Sequence, residues 1–436
     1  MWSNGSMLLA SETENRGGEN RFTWNATKLD ANGTLLWTWK SDEDLDIYWH
    51  LNEAVVGEDG SSVLAGGGLS SPRIFKIDAD GELEWGTERC EQRPEGLVMQ
   101  GDGSLVVGGT REVSDDNTGD FMACRLDSNN NGTVISTWKN GTDSFEAVDV
   151  AVLADNDSVI LAGRTFGNWG GESLGEEDFA AVKLDKNLTT VLWKWQNGTE
   201  LEDHIYGGGM GDTGSVILVG STHGDWEKPN RGGEDFAAVK LNTTDGSILW
   251  KWQDGTEGED RLMGAAFGYE GTVFLGGFTT GLWGDSHAGG YDFAGVLLNI
   301  SDGTELFRWQ NGTEKTDKCL DIAGGYDGLV LLAGVTQGSW SEANHGGNDA
   351  FAVLLDSKDM VIASQRTPGP LMSETPSWMS PSPSEDHSFS LSPSSAPTSQ
   401  PTATTSGSGG PPLTLLTAVL VSIAPIALIG VFGNTA

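Results

Sequence analysis

The sequence predicts an all-β, seven-bladed β-propeller over residues 1–366, followed by a disordered stalk and one C-terminal hydrophobic helix. Three observations carry this reading: a unit that recurs every 57 residues through the middle of the chain, four short β-like runs per unit, and Gly, Asn and Asp between the runs in place of any long 3.6-residue periodicity. Four strands repeated around a ring leave only short, protected sheet edges.

The repeat is plainest in the second strand. Val159-Ile160-Leu161-Ala162-Gly163 returns as Val216 to Gly220, Val273 to Gly277 and Val330 to Gly334. In the third strand Asp178-Phe179 returns as Asp235-Phe236, Asp292-Phe293 and, slipped by one, Asp349-Ala350-Phe351. Trp193 to Glu200 returns as Trp250 to Glu257 and Phe307 to Glu314. The innermost strand is expected over Asp260 to Gly271, where small Gly264, Ala265 and Ala266 suit the crowded axis. Outer strands are expected near Leu35 to Trp39, Glu82 to Trp85, Val134 to Trp138, Val191 to Trp195, Ile248 to Trp252, Glu305 to Trp309 and Val361 to Gln365, which gives seven blades. Asn4 to Ala10 aligns with the turn and second strand of other units, so blade one is expected to lack its innermost strand. Either the ring lacks that strand or the chain is a shortened form of a longer one.

Gly232-Gly233-Glu234-Asp235, then Phe236-Ala237-Ala238-Val239-Lys240-Leu241-Asn242, a turn, the outer strand Asp245 to Trp252 and the Gly-rich strand from Asp260 together resemble the secreted β-propeller repeat family. The outer strand is also similar to the Gly-x-x-x-Trp tail of quinoprotein-type propeller repeats. The resemblance covers blades three to seven well and blades one and two weakly. It implies fold and no activity, because propellers host many unrelated functions.

Lys plus Arg number 25 against 63 Asp plus Glu, a formal charge of −38. So few cations argue against nucleic acid as partner, since phosphate binding rests on cation density. The charge fits a soluble surface kept from self-association. Cys90, Cys124 and Cys319 allow at most one bridge and one spare thiol, and no C-x-x-C pair suggests zinc or redox chemistry.

After Arg366 there is no Lys or Arg. Residues 367–412 are rich in Ser, Thr and Pro and read as a disordered, extended stalk that suits O-glycosylation. Leu413 to Phe432 is twenty residues without a charge, long enough as a helix for a bilayer core and interrupted only by Pro425. A spanning helix and a lipid-anchor attachment signal both remain open. The propeller is then expected outside the cell. The difficulty is that Met1 to Asn20 contains only one apolar run, Met7 to Ala10; the alternative is a tail-anchored chain with a cytosolic propeller.

Candidate site residues follow the repeat. Trp169, Trp226, Trp283 and Trp340 stand in the long loops between second and third strands and form a candidate rim for stacking on sugar rings, or else pack between blades. Of eleven Asn-x-Ser/Thr sequons, those in Asn-Gly-Thr form double as hairpin turns, whereas Asn25, Asn156, Asn187, Asn242 and Asn299 are the candidate N-glycosylation sites. Asp127-Ser128-Asn129-Asn130-Asn131-Gly132 matches half of a calcium loop, but Trp138 stands where the bidentate acid belongs, so a turn-capping role competes with calcium.

Ring-forming acids (Glu146, Asp203, Asp260, Asp317; Asp178, Asp235, Asp292, Asp349) recur once per blade and read as loop ties. The six histidines fall in no register, and no catalytic constellation or cofactor site is assigned. The expected function is a membrane-tethered binding or adhesion module for glycan or protein. The alternatives are a hydrolase or quinoprotein-like enzyme on the same scaffold and a structural coat or wall protein. An enzyme would show an asymmetric cluster of acid, His or Arg at the axial mouth.

Overall fold

The computed structural model describes residues 6–15, 21–30, 34–41, 50–68, 71–113, 118–325, 328–340, 344, 347–364, 389–390, 416–420, 428–429 and 431–432. Nearly all of the stalk, and Asn32 among the sequons, lie outside the described residues.

Seven sheets follow one another, one per blade. In blade five Asp203–Met210 lies innermost, then Ser215–Thr222, Asp235–Asn242 and Ile248–Asp254 run outward in antiparallel register. The other innermost strands are His50–Val56, Arg93–Met99, Glu146–Leu153, Asp260–Phe267 and Asp317–Gly324, and neighbours among them touch around the axis. Second and third strands are buried along their length because each blade packs on both faces. This is why they read as unbroken apolar runs and not as an alternation. Outer strands face solvent at their start: Val191 and Leu192 are exposed, while Trp193 and Trp195 turn into the seam.

The core is divided among the seams between blades. Val152, Ile160 and Trp195 of blade four pack with Ile205 and Leu218 of blade five in one such cluster. At the closure Ala323, Leu331 and Ala352 of blade seven meet Met7, Leu9 and Leu29 of blade one. Each large apolar side chain so buried contributes about 1.5–3 kcal/mol.

The ends of the ring depart from the sequence reading. Val361 to Gln365 is not the outer strand of blade seven, because Ser357–Ser364 is a helix whose Met360 packs into the seam with blade six. The outer place is taken by Leu416–Leu420, antiparallel to Asp349–Asp356. The innermost place of blade one, expected empty, holds Leu428–Ile429 against Ala10 and Ser11. Val431–Phe432 runs parallel to Ala54 and Val55. The described parts of 413–432 are therefore strands and not a helix, and among the described residues no helix is long and apolar enough to cross a membrane. An open strand edge presents unpaired N–H and C=O groups, which an apolar segment can satisfy by pairing. Cys90 and Cys124 form a disulfide with Cα atoms 5.9 Å apart, and Cys319 is a buried free thiol.

Candidate binding site at the axial mouth

The repeated side chains build a rim around one face of the ring. Thr199, Thr256 and Thr313 donate their backbone N–H to Asp203, Asp260 and Asp317 at 2.5 Å, and the Thr142 N–H reaches Glu146 at 2.8 Å. Leu174 and Ala288 donate to Asp178 and Asp292 at 3.0 and 2.8 Å, while the N–H of Arg231 lies 3.3 Å from Asp235. Gln196 links the two loop systems: its oxygen accepts from the Trp169 N–H at 2.7 Å and its amide donates to Asp178 at 2.7 Å. Gln253 and Gln310 repeat this.

The four Trp belong to the same lattice. Trp169, Trp226 and Trp283 are buried, and Trp340 is partly so. Each packs on a Phe of the preceding blade, with ring centroids 4.7 Å apart for Phe121–Trp169, 4.8 Å for Phe179–Trp226, 5.0 Å for Phe236–Trp283 and 5.7 Å for Phe293–Trp340. Lys194, Lys251 and Arg308 cover the first three at 3.5, 4.8 and 3.9 Å. Trp169, Trp226 and Trp283 thus seal seams and leave no open face for a sugar, while Trp340 packs on Phe293 and Phe351 and keeps part of its surface.

Asp127 caps its own turn, accepting the Asn129 N–H at 3.0 Å. Asp30, Asp78, Asp185, Asn242, Asn299 and Asp356 do likewise in their blades. Among the described residues no group of three or more His, Cys, Asp or Glu is placed to hold a metal ion. Of the glycosylation candidates, Asn156 and Asn187 are exposed; Asn242 and Asn299 are half-buried turn caps; Asn25 donates its amide to the Thr23 carbonyl at 3.3 Å.

One register position in from the rim acids, the blades stop resembling one another. Every innermost strand of blades two to seven carries an irregularity, and the extra residue is Asn52, Glu95, Asp149, Tyr206, Met263 or Leu320, each half-buried. The bulge depends on the repeated glycine opposite. A Cβ on Gly220 would stand 1.7 Å from the His204 carbonyl oxygen, and Gly66, Gly109, Gly163, Gly277 and Gly334 are as tightly placed against His50, Arg93, Ala147, Arg261 and Lys318. A bulge re-aims the side chains beside it, and here those side chains ring the mouth. His50 and His204 occupy equivalent places, which corrects the sequence reading that no histidines share a register. In blade four, where Ala147 is small, Arg164 of the paired strand fills the gap.

These groups are joined across blades. Arg164 Nη1 lies 3.2 Å from Asp149, and its Nε lies 3.5 Å from Glu177. Glu177 contacts His204 Nε2, whose Nδ1 lies 2.8 Å from the Tyr206 hydroxyl. Arg261 binds Glu234 with two bonds of 2.5 and 2.7 Å. Arg93 meets Glu95 at 2.7 Å, and Asn52 donates to Glu95 at 3.1 Å. Lys318 lies 3.8 Å over Tyr291, whose hydroxyl donates to Glu259 at 2.6 Å.

Burial sets the proton affinities. It lifts Glu95 and Glu177 to about 7 and Asp149 to about 6, against the pull of the neighbouring guanidinium groups. Burial, then the charges of Arg164, His223 and Arg261, push His204 down to about 3. The Glu177–His204 pair therefore exchanges one proton near neutrality, and the imidazole stays uncharged. Burial also pushes Tyr206 up to about 12, which keeps its hydroxyl a donor.

No family model matches the chain, and no curated protein matches it. Solved structures do. The chain is similar to the C-terminal WD40 domain of Sif2 (TM-score 0.48, 11% identity, 82% of this chain and 81% of that one). It is also similar to BamB from Moraxella catarrhalis (0.43, 12%, 79% and 93%). A third is quinohemoprotein alcohol dehydrogenase from Comamonas testosteroni (0.44, 10%, 85% and 78%). These neighbours are β-propellers. At such identities the likeness is one of fold alone, and the site must be read from its own residues.

Proposed function

We propose that the propeller is a binding module whose ligand, a glycan, enters the axial mouth between blades two and seven. The observation that carries this is the ring of bulged strands: the rim repeats over blades four to seven, while the mouth does not. The same asymmetric cluster of acids, His204 and Arg164 is what an enzyme on this scaffold would show, so turnover of the bound glycan is the competing reading. Its side chains mix acceptors (Glu95, Asp149, Glu177) with donors (Asn52, Arg164, Tyr206), and a sugar hydroxyl both donates and accepts. Display outside the cell is supported by the Cys90–Cys124 disulfide, since such bonds persist in oxidising compartments, and by the exposed sequons Asn156 and Asn187. The test is a glycan array probed with the full chain and with Arg164→Ala. Losing a charge-assisted bond of about 1.5–3 kcal/mol lowers affinity roughly ten- to a hundredfold. Undiminished binding by the variant, or no glycan bound at all, would sink the proposal.

A second reading concerns 413–432. Twenty uncharged residues suffice to tether the chain to a bilayer, whereas the strands formed there pair within the ring. Extraction of membranes with alkaline carbonate separates the two: a tethered chain stays with the lipid, and a chain held only by strand pairing is released.

A further inference from the structure

The mouth holds cations that its own acids satisfy unequally. Arg261 is fully engaged by Glu234 in a two-bond pair. Arg164 is not: its Nη1 is held by Asp149 at 3.2 Å, but its Nε faces Glu177 at the long distance of 3.5 Å, and Glu177 is shared with His204. Lys318, two blades beyond His204, stands over the Tyr291 ring at 3.8 Å and the Phe278 ring at 5.0 Å, and among the described residues it forms no ion pair. Among the described residues Arg164 is thus neutralised by Asp149, Glu177 and Glu95 but keeps a buried Nε–H without a hydrogen bond, and Lys318 keeps an ammonium without an ion pair: two donors at the same mouth that an added acceptor could reach.

Resting on the glycan reading above, we infer that the mouth selects a sugar bearing a carboxylate, a uronic acid, whose carboxylate displaces Glu177 from Arg164 while Glu177 takes up a proton. No bond is made or broken other than hydrogen bonds. The proton comes from solvent and stays on the Glu177 carboxyl, which then donates to Nε2 of the neutral His204 imidazole, while the ring's own proton moves to Nδ1 and is donated to the Tyr206 hydroxyl oxygen. The displacement is forced, because two carboxylates against one guanidinium repel each other unless one is neutral.

Glu177 suits this exchange. It is faced by Arg164 and Asp149 of its own blade, by Glu176 beside it, and by Glu202 and His204 from the next blade. Burial has already lifted it to about 7, so protonation near neutrality is cheap. The sign follows. Below about pH 6 Glu177 is already protonated and binding is independent of pH. Above about pH 7 each bound ligand costs one proton, and affinity falls up to about tenfold per pH unit.

The experiment is calorimetric titration of the full chain with a glucuronate disaccharide and with the neutral glucose disaccharide, at pH 6, 7 and 8, each in two buffers of different ionisation enthalpy so that protons are counted. The expected result is tighter binding of the glucuronate, about tenfold weaker at pH 8 than at pH 6, with uptake approaching one proton at pH 8; the neutral sugar binds more weakly and without pH dependence. Glu177→Gln, which imitates the protonated carboxyl, should bind glucuronate at pH 8 nearly as the native chain does at pH 6. Equal affinity for the two sugars, or glucuronate binding without proton uptake, overturns this inference and leaves the glycan reading standing. Failure of both sugars to bind any form of the chain, together with a blank glycan array, removes both.

Discussion

The rim and the axial mouth are built from the same strands, one register position apart, yet they obey different rules. At the rim Asp203, Asp260 and Asp317 are fully buried, each accepts a loop N–H, and each is a copy of the others. Their immediate successors, His204, Arg261 and Lys318, are half-buried, differ from one another and reach to groups on other strands. Repetition serves the ring, because every seam poses the same packing problem. A ligand breaks that symmetry, so the residues that meet it differ around the axis.

If the Trp lattice is purely a seam device, breaking it should cost stability first. Trp283→Ala removes a buried ring that packs between Phe236 and Arg308 and donates to the Gly295 carbonyl. The expected loss is about 3–5 kcal/mol in urea unfolding, with binding at the mouth retained under conditions where the variant is folded. A variant of native stability that no longer binds sugar would return the Trp ring to the site.

A smaller effect is expected at the rim acids. Asp260→Ala leaves the Thr256 N–H and the Thr256 and Thr279 hydroxyls without their acceptor inside the rim. Buried donors left unpaired cost about 1–3 kcal/mol each at most, with relaxation reducing the sum. A drop of roughly 2–4 kcal/mol in the same measurement fits that role, and a neutral substitution would refute it.

The rim should also show itself through pH. Burial lifts Asp203 and Asp260 to about 6 and raises Asp317 and Asp235. A carboxyl whose folded pKa exceeds its unfolded value of about 3.9 contributes stability that is fully present below the unfolded value and lost as pH rises through the folded one. Asp185, Asp212 and Asp254 are shifted down instead, by hydrogen bonds and cations that overcome their burial, so they act only below about pH 4. The urea midpoint should therefore fall between pH 5 and pH 7.5. Asp203→Asn with Asp260→Asn should remove the rim's share of that slope, below about pH 6.5, and leave the share of Glu95, Glu177 and Asp149 at the mouth; a midpoint that rises over the interval contradicts the burial argument.

What could be read from the sequence divides along the same line. The blade count, the turn-capping Asp127 and its equivalents, and the loop ties of the rim acids were legible because a 57-residue period displays each of them several times. The mouth was hidden for the opposite reason. Glu177 and Glu234 stand one period apart, just before the third-strand Asp, but blade six has Tyr291 and blade seven Asn348 at that place, so the repeat of the acid stops after two copies. His50 and His204 share a register that the shortened second blade disguises. The available signal was the residue after each rim acid, variable beside a neighbour that is Asp in blades five to seven and Glu in blade four. The helix Ser357–Ser364 escaped because Met360-Val361-Ile362 has strand-like composition, and packing of Met360 into the seam decides otherwise.

Arg261→Ala should have the smallest effect on stability and the sharpest on function. Its guanidinium is about one-third exposed and its partner Glu234 is nearly buried. Its removal could strand a buried charge, and that would blur the contrast with Asp260. Two features limit this cost. Ser221 still donates to Glu234 at 2.9 Å, and the His223 ring lies 3.7 Å from it. The unfolding midpoint should thus move by no more than about 1 kcal/mol equivalent, in the range of part-exposed ion pairs. Binding at the mouth should nevertheless weaken, because Glu234 is freed into the cluster and Lys318 loses the neighbour that helps make that sector cationic. Lys318→Ala, which abandons no carboxylate, provides the control. If Arg261→Ala destabilises as much as Asp260→Ala while Lys318→Ala leaves sugar binding unchanged, the mouth is an extension of the rim and the division between the two regions collapses.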